Sequence, residues 1–136
     1  MPRDIRCRCG SGRKERRCCG PFLDGRPAPT PAALMRSRYA AYAKGNAAYI
    51  METTDPGGPA FEADAAAWSN GILAFHSRFR FRGVQILDAP DPAGDVGFVT
   101  FHARLEAPAG DGSFRERSRF TRADGRWRYH SGTRLP

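Results

Sequence analysis

The sequence predicts an α+β protein, about three helices followed by four consecutive antiparallel strands, preceded by a short cysteine-rich segment. Three observations carry this. All four cysteines lie between Cys7 and Cys19. From Thr30 to Phe75, capping residues and breakers bracket stretches of helical spacing. From Phe79 onward, apolar residues recur at alternate positions between turn signals, and helices followed by strands point to helices covering one face of a sheet. At 136 residues and 40% hydrophobic content the chain can bury one core.

In the first segment, "CRCGSGRKERRCCG", one residue separates Cys7 from Cys9, eight follow, and Cys18 adjoins Cys19. A loop of that length can fold back and place four sulfurs around one point. Gly10 and Gly12 allow the tight turns this needs. Zinc accepts four thiolates in a tetrahedron and imposes no ligand-field demand on the spacing, and a site closed by four protein ligands is structural. The expected ligands are Cys7, Cys9, Cys18 and Cys19, with Arg8, Arg13, Lys14, Arg16 and Arg17 offsetting the thiolate charge. The alternative is redox use, through a strained Cys18–Cys19 bridge.

"GPFLDGRPAPTP", 20–31, is rich in Pro and Gly and reads as an extended connection, neither helix nor central strand. Residues 1–20, 21–31 and 32–136 are therefore the expected knuckle, linker and main domain. Thr30 caps a helix that has Pro31 at its first position and stops at Gly45. Met35, Tyr39, Tyr42 and Ala43 share one face, with Arg36 and Arg38 beside it. Asn46 caps a second helix through Thr53, and a third is expected from Phe61 to about Phe75.

In "FRFRGVQIL", Phe79 and Phe81 share a face with Val84 and Ile86 only if the strand slips phase at Gly83, as at a β-bulge. "DVGFVTFHARLEA" is partly apolar on both faces and is expected to be central. "FRERSRFTR" turns Phe114, Glu116, Ser118 and Phe120 inward, and "RWRYHSG" ends the series. A carboxylate on an apolar face must be paired, neutral or functional. Arg36, Arg38 and Arg104 are the expected partners of Glu116, with acid–base or ligand-anchoring use as the alternative. Trp127 and Tyr129 read as core aromatics. His76, His102 and His130 have no metal-ligand spacing, no Ser-His-Asp arrangement can be argued, and catalytic residues remain unassigned.

The formal charge is +8, carried by twenty arginines and two lysines. Such a surplus speaks to solvated faces and loose association before specific recognition. Sequence-specific nucleic-acid binding is not expected. The start has no apolar signal region and no run approaches a membrane span, so the expected compartment is the cytoplasm, where clustered thiols point to metal or redox chemistry.

The Cys-x-Cys-Gly-Ser-Gly-x-Lys start with its Cys-Cys pair resembles the SEC-C zinc motif. With "LMRSRYAAYAKGNAAYI", "FRERSRFTR" and "DGRWRY" in order behind it, nearly the whole chain is similar to the YchJ family of small bacterial proteins. That resemblance implies a nuclear transport factor 2-like domain, a cone in which a curved sheet wraps around the helices and leaves a pocket at the wide end. It implies no settled activity. The leading expectation is a binding or adaptor module whose basic zinc knuckle docks a protein or ribosomal partner. The alternative is a small-molecule binder or enzyme using the cone, with Arg36, Tyr39, Tyr42, Asp55, Glu116, Ser118 and Trp127 as candidate pocket residues. A filled cone favours the first; an open pocket with ionisable groups favours the second.

Overall fold

The computed structural model describes residues 5–136, so the first four residues of the expected knuckle lie outside the described residues. The N-terminal segment folds back on itself. Arg6 bridges to Lys14, the Cys7 N–H donates to the Arg13 carbonyl, and a single 3-10 turn spans Glu15–Arg17. Where the sequence suggests an extended linker, a one-turn helix α1 spans Gly20–Leu23. Pro21 is tolerated because the first turn of a helix has no carbonyl to receive its N–H.

Helix α2, Pro31–Lys44, is capped by the Thr30 hydroxyl accepting from Ala33 N and ends at Gly45 in the left-handed conformation, as its residues predict. In α3, Ala47–Glu52, the Asn46 side chain accepts from Tyr49 N. The next helix, α4, spans Ala65–Arg78, beginning four residues later than expected and running three further. Its cap is Asp64, which accepts from Ala67 N, so Phe61 precedes the helix and packs edge-on against Trp68.

Strands β1 (Arg80–Asp88), β2 (Val96–Ala107), β4 (Phe114–Ala123) and β5 (Arg126–Leu135) form an antiparallel meander in that order, with the two-residue β3, Gly110–Asp111, beside the end of β2. The alternation on β2 is as expected, with Val99, Phe101, Ala103 and Leu105 buried. The β1 bulge also falls as expected. Register slips between Phe81 and Gly83, which keeps Phe81 opposite Leu105 and Val84 opposite Ala103 on the helix side. The register slips again in β1, between Ile86 and Asp88, and a further bulge lies in β5, where the residues give no sign of one. Arg119 pairs with Ser131 but Phe120 pairs with Tyr129, so His130 is the extra residue. The slip lets Tyr129 on one side of it, and Gly132 and Arg134 on the other, line up with the inward residues Phe120, Ser118 and Glu116 of β4.

The knuckle is keyed into this domain. Cys7, Cys9 and Cys19 belong to the same buried cluster as Leu34, Tyr39 and Val84. The Val84 N–H donates to the Cys9 carbonyl (2.9 Å), and a Cβ on Gly10 would stand 2.8 Å from the Gly83 Cα. Both glycines have positive φ, 84° and 128°. The knuckle turn and the β1 bulge thus meet backbone to backbone, an approach that side chains would block. The Tyr39 hydroxyl holds the bulge from the other side, accepting from Gly83 N (2.7 Å) and donating to the Arg104 carbonyl (2.8 Å). Among the described residues no helix is long and apolar enough to cross a membrane.

Candidate metal centre and cone pocket

The four cysteine sulfurs lie within 4.8 Å of one another. Cys9 and Cys18 sulfurs are 3.5 Å apart and those of Cys18 and Cys19 3.9 Å. A tetrahedron of sulfurs about 2.3 Å from a central ion has edges of about 3.8 Å, so the cluster is already close to the size a metal requires. All four are free thiols, and three are buried. Crowding couples the titrations of Cys7, Cys9 and Cys19. Hydrogen bonds from Cys19 and Cys7 hold Cys9 well below the ordinary thiol range, while the same bonds to Cys7 and Cys9, with burial, push Cys19 up. Around the sulfurs, Ser11 Oγ lies 3.1 Å from Cys18 Sγ, and Arg36 of α2 points Nη1 at Cys9 Sγ from 3.9 Å. Glu15 accepts from Lys44 at 3.0 Å and ties the knuckle to the end of α2. The residues present fit a single ion bound by four thiolates.

The second feature is a cavity of about 470 Å³ between the helices and the inner face of the sheet. Its wall is largely apolar, including Met35, Ile50, Trp68, Ile72, Phe75 and Phe81. Exposed lining residues, Glu62, Gly71 and Arg134, mark its mouth.

Its polar apparatus centres on Glu116, whose side chain is 13% exposed. Glu116 Oε2 accepts from Ser118 Oγ (2.6 Å) and from the Tyr129 hydroxyl (2.9 Å), and Oε1 lies 3.5 Å from Arg134 Nε. Burial first, then the Glu116 charge, pushes the Tyr129 hydroxyl up, so it remains a donor. None of the three arginines expected to pair with Glu116 does so. Arg36 turns to the knuckle. Arg38 Nη1 donates to the Ile50 carbonyl (3.0 Å), Thr53 Oγ1 (2.8 Å) and Thr54 Oγ1 (3.1 Å), and its guanidinium lies 4.6 Å from the Tyr129 ring centroid. Arg104 is exposed, on the outer side of β2.

Of the candidate pocket residues, Tyr39, Tyr42 and Glu116 line the cavity. Tyr39 presents its ring, since its hydroxyl is committed to the bulge, and burial pushes that hydroxyl up to about 12. Tyr42 packs edge-on against Phe75. The other four do not line it. Two helix positions are about 200° apart, so Arg36 faces away from the cavity that Arg38 faces. Asp55 sits in the loop after α3, accepting from Gly57 N (2.8 Å) and Thr121 Oγ1 (2.6 Å). Ser118 is buried behind Glu116 as its donor. Trp127 lines a separate space of about 80 Å³ with Phe22, Leu23 and Leu34, beneath the Arg122 guanidinium. Arg38, Tyr129 and Arg134 are the cavity groups that sequence reasoning did not place there. The inward alternation of β5 pointed to Tyr129, but no residue signal marked the bulge that turns Arg134 inward.

A family model for the middle, nuclear transport factor 2-like domain of YchJ matches residues 30–132. A UPF0225 protein of Deinococcus radiodurans is 44% identical over 125 residues, covering 90% of this chain and 85% of its own. Among solved structures, a SEC-C motif containing protein from Rhodopseudomonas palustris superposes with a TM-score of 0.82 at 37% identity, covering 97% of this chain and 100% of the other. A SEC-C motif containing protein from Psychrobacter arcticus gives 0.78 at 23% identity, covering 100% and 86%, a likeness of fold.

Proposed function

The chain belongs to the YchJ family, and on that premise we propose that it is a small-molecule-binding protein whose ligand site is the cone cavity and whose N-terminal knuckle holds one structural zinc ion. The observation that carries the reading is the cavity itself. It is open, apolar over most of its wall, and furnished with a few convergent polar groups, the usual make-up of a ligand site. A cone built only as a scaffold for the knuckle would be filled by its own side chains, and this one leaves about 470 Å³.

Zinc is the ion that the donor set favours, since four thiolates in a tetrahedron suit it and leave no open position. Cys7, Cys9, Cys18 and Cys19 would hold it, and it would supply folding free energy to the segment that packs on the β1 bulge. Docking of a protein or ribosomal partner is a second reading. It is supported by the exposed arginines of the knuckle, Arg6, Arg8, Arg13, Arg16 and Arg17, and it needs no cavity.

The test is a screen of small amphipathic compounds against zinc-loaded full-length protein, read by ligand-induced thermal shift, with Ala103→Leu as control. Ala103 is buried and lines the cavity, so the larger side chain takes up ligand space. Hits that shift the wild type and lose their effect in a folded Ala103→Leu protein are the expected result. A screen without hits, or hits indifferent to that substitution, would overturn the cavity as the site.

A further inference from the structure

Arg38 is the buried charged group in the cavity that no carboxylate meets directly, although the charge of Glu116 reaches it through space. It is 5% exposed, yet its three protein hydrogen bonds all go to neutral oxygens. Among the described residues it forms no ion pair. Burial is the main influence on it and draws its pKa down, which is the signature of a desolvated cation. Buried charges are ordinarily paired.

Glu116 does not fill that role. Its Oε2 is engaged by Ser118 and Tyr129 and its Oε1 faces Arg134, so its charge is met by donors of its own. The buried guanidinium of Arg38 then has no carboxylate bonded to it, while Glu116 already faces Arg134, which is exposed at the mouth. Glu62 is the other acid in the lining, and it is exposed at the mouth, where water screens it.

Arg38 also has donors to spare. Its hydrogen bonds all leave from Nη1, and no buried side-chain nitrogen among the described residues lacks a partner. The remaining N–H groups of Arg38 therefore reach accessible space, and the space that Arg38 borders is the cavity. Planar guanidinium forks match carboxylates better than any other side chain does.

Resting on the reading of the cavity as a ligand site, we propose that its ligand is a small apolar carboxylate. The carboxylate accepts from the unused edge of Arg38 and is drawn in past Arg134 at the mouth. The hydrocarbon or aromatic body lies against Trp68, Ile72, Phe75 and Phe81. Bound in this way, the anion supplies the directly bonded carboxylate that Arg38 lacks.

A head-group series tests this on zinc-loaded full-length protein: octanoate, octanamide, octanol and octylamine, titrated by calorimetry and by tryptophan fluorescence, since Trp68 lines the cavity. Octanoate is expected to bind about tenfold or more tighter than the amide and alcohol, the scale of one charge-assisted hydrogen bond, with the amine weakest. Arg134→Gln is expected to weaken octanoate several-fold and leave octanamide unchanged. Arg38→Gln should abolish the preference for octanoate, and if that variant fails to fold, the head-group series and Arg134→Gln decide the matter alone. Equal binding of octanoate and its neutral analogues, lost in Ala103→Leu, would overturn the carboxylate while leaving the cavity as a ligand site. No binding by any member would overturn both.

Discussion

Gly10→Ala and Gly12→Ala form a matched pair that measures how firmly the knuckle is keyed to the domain. Both glycines lie in the loop between Cys9 and Cys18, and their φ values are nearly equal, 84° and 82°. An L-residue in that conformation costs about 1–2 kcal/mol, and both variants bear this. They differ in their surroundings. A Cβ at Gly12 meets nothing within 4 Å, whereas one at Gly10 stands 2.8 Å from the Gly83 Cα and 3.6 Å from Val84 N. Main chain cannot rotate aside, so the knuckle must retreat. Retreat breaks the bond from Val84 N–H to the Cys9 carbonyl (2.9 Å), and leaving such a group unpaired costs about 1–3 kcal/mol. Gly10→Ala should therefore be about 2 kcal/mol less stable than Gly12→Ala. At roughly 3 °C per kcal/mol for a chain this size, that is about 6 °C in Tm. The assay is thermal unfolding of the two variants at equal, verified zinc content. Equal melting temperatures would refute the reasoning and show the knuckle to be a tethered appendage.

Freshly prepared protein should carry one zinc per chain by elemental analysis and lose tight binding in Cys18→Ser; because the ligands must be deprotonated, release should increase as pH falls, and retention of zinc by Cys18→Ser would count against the four-thiolate site. Tyr39→Phe should cost about 2 kcal/mol in chemical denaturation, since it strips the Gly83 N–H and the Arg104 carbonyl of their shared partner; a loss below about 0.5 kcal/mol would mean that water replaces the hydroxyl. Asp55 is held below the usual carboxylate range by the Thr121 hydroxyl and then by Gly57 N–H. Its contribution is thus present above the unfolded-state pKa and lost as pH falls through the depressed folded value. Asp55→Asn should make the acid side of the melting curve shallower, and an unchanged profile would show that the carboxylate charge adds nothing.

The features legible in the sequence are those with local causes. The cysteine spacing pointed to the four-thiol cluster because two close pairs joined by eight residues that include Gly10 and Gly12 can turn back and meet around one point. Thr30, Asn46 and Gly45 determined the ends of α2 and the start of α3 because a cap is satisfied within one turn. Gly83 announced its bulge because the distortion needs a residue free of Cβ constraints, and the alternation of β4 turned Glu116 inward because its neighbours are phenylalanines. What only the tertiary structure decided depends on elements far apart in the chain. Arg36 and Arg38 look alike in sequence, and the packing of α2 between knuckle and sheet sends one to Cys9 and the other to the cavity. The β5 bulge at His130 has no residue signature of its own. The loop after α3 meets β5 there, with Tyr129 N–H donating to the Thr53 carbonyl and Asp55 N–H donating to the Tyr129 carbonyl, and the slip turns Arg134 inward beside Glu116. Arg134 comes opposite Glu116 through the slipped register of β4 and β5, at a strand that the loop after α3 also meets through the bridge of Thr54 to Tyr129, and no local pattern of side chains encodes either pairing.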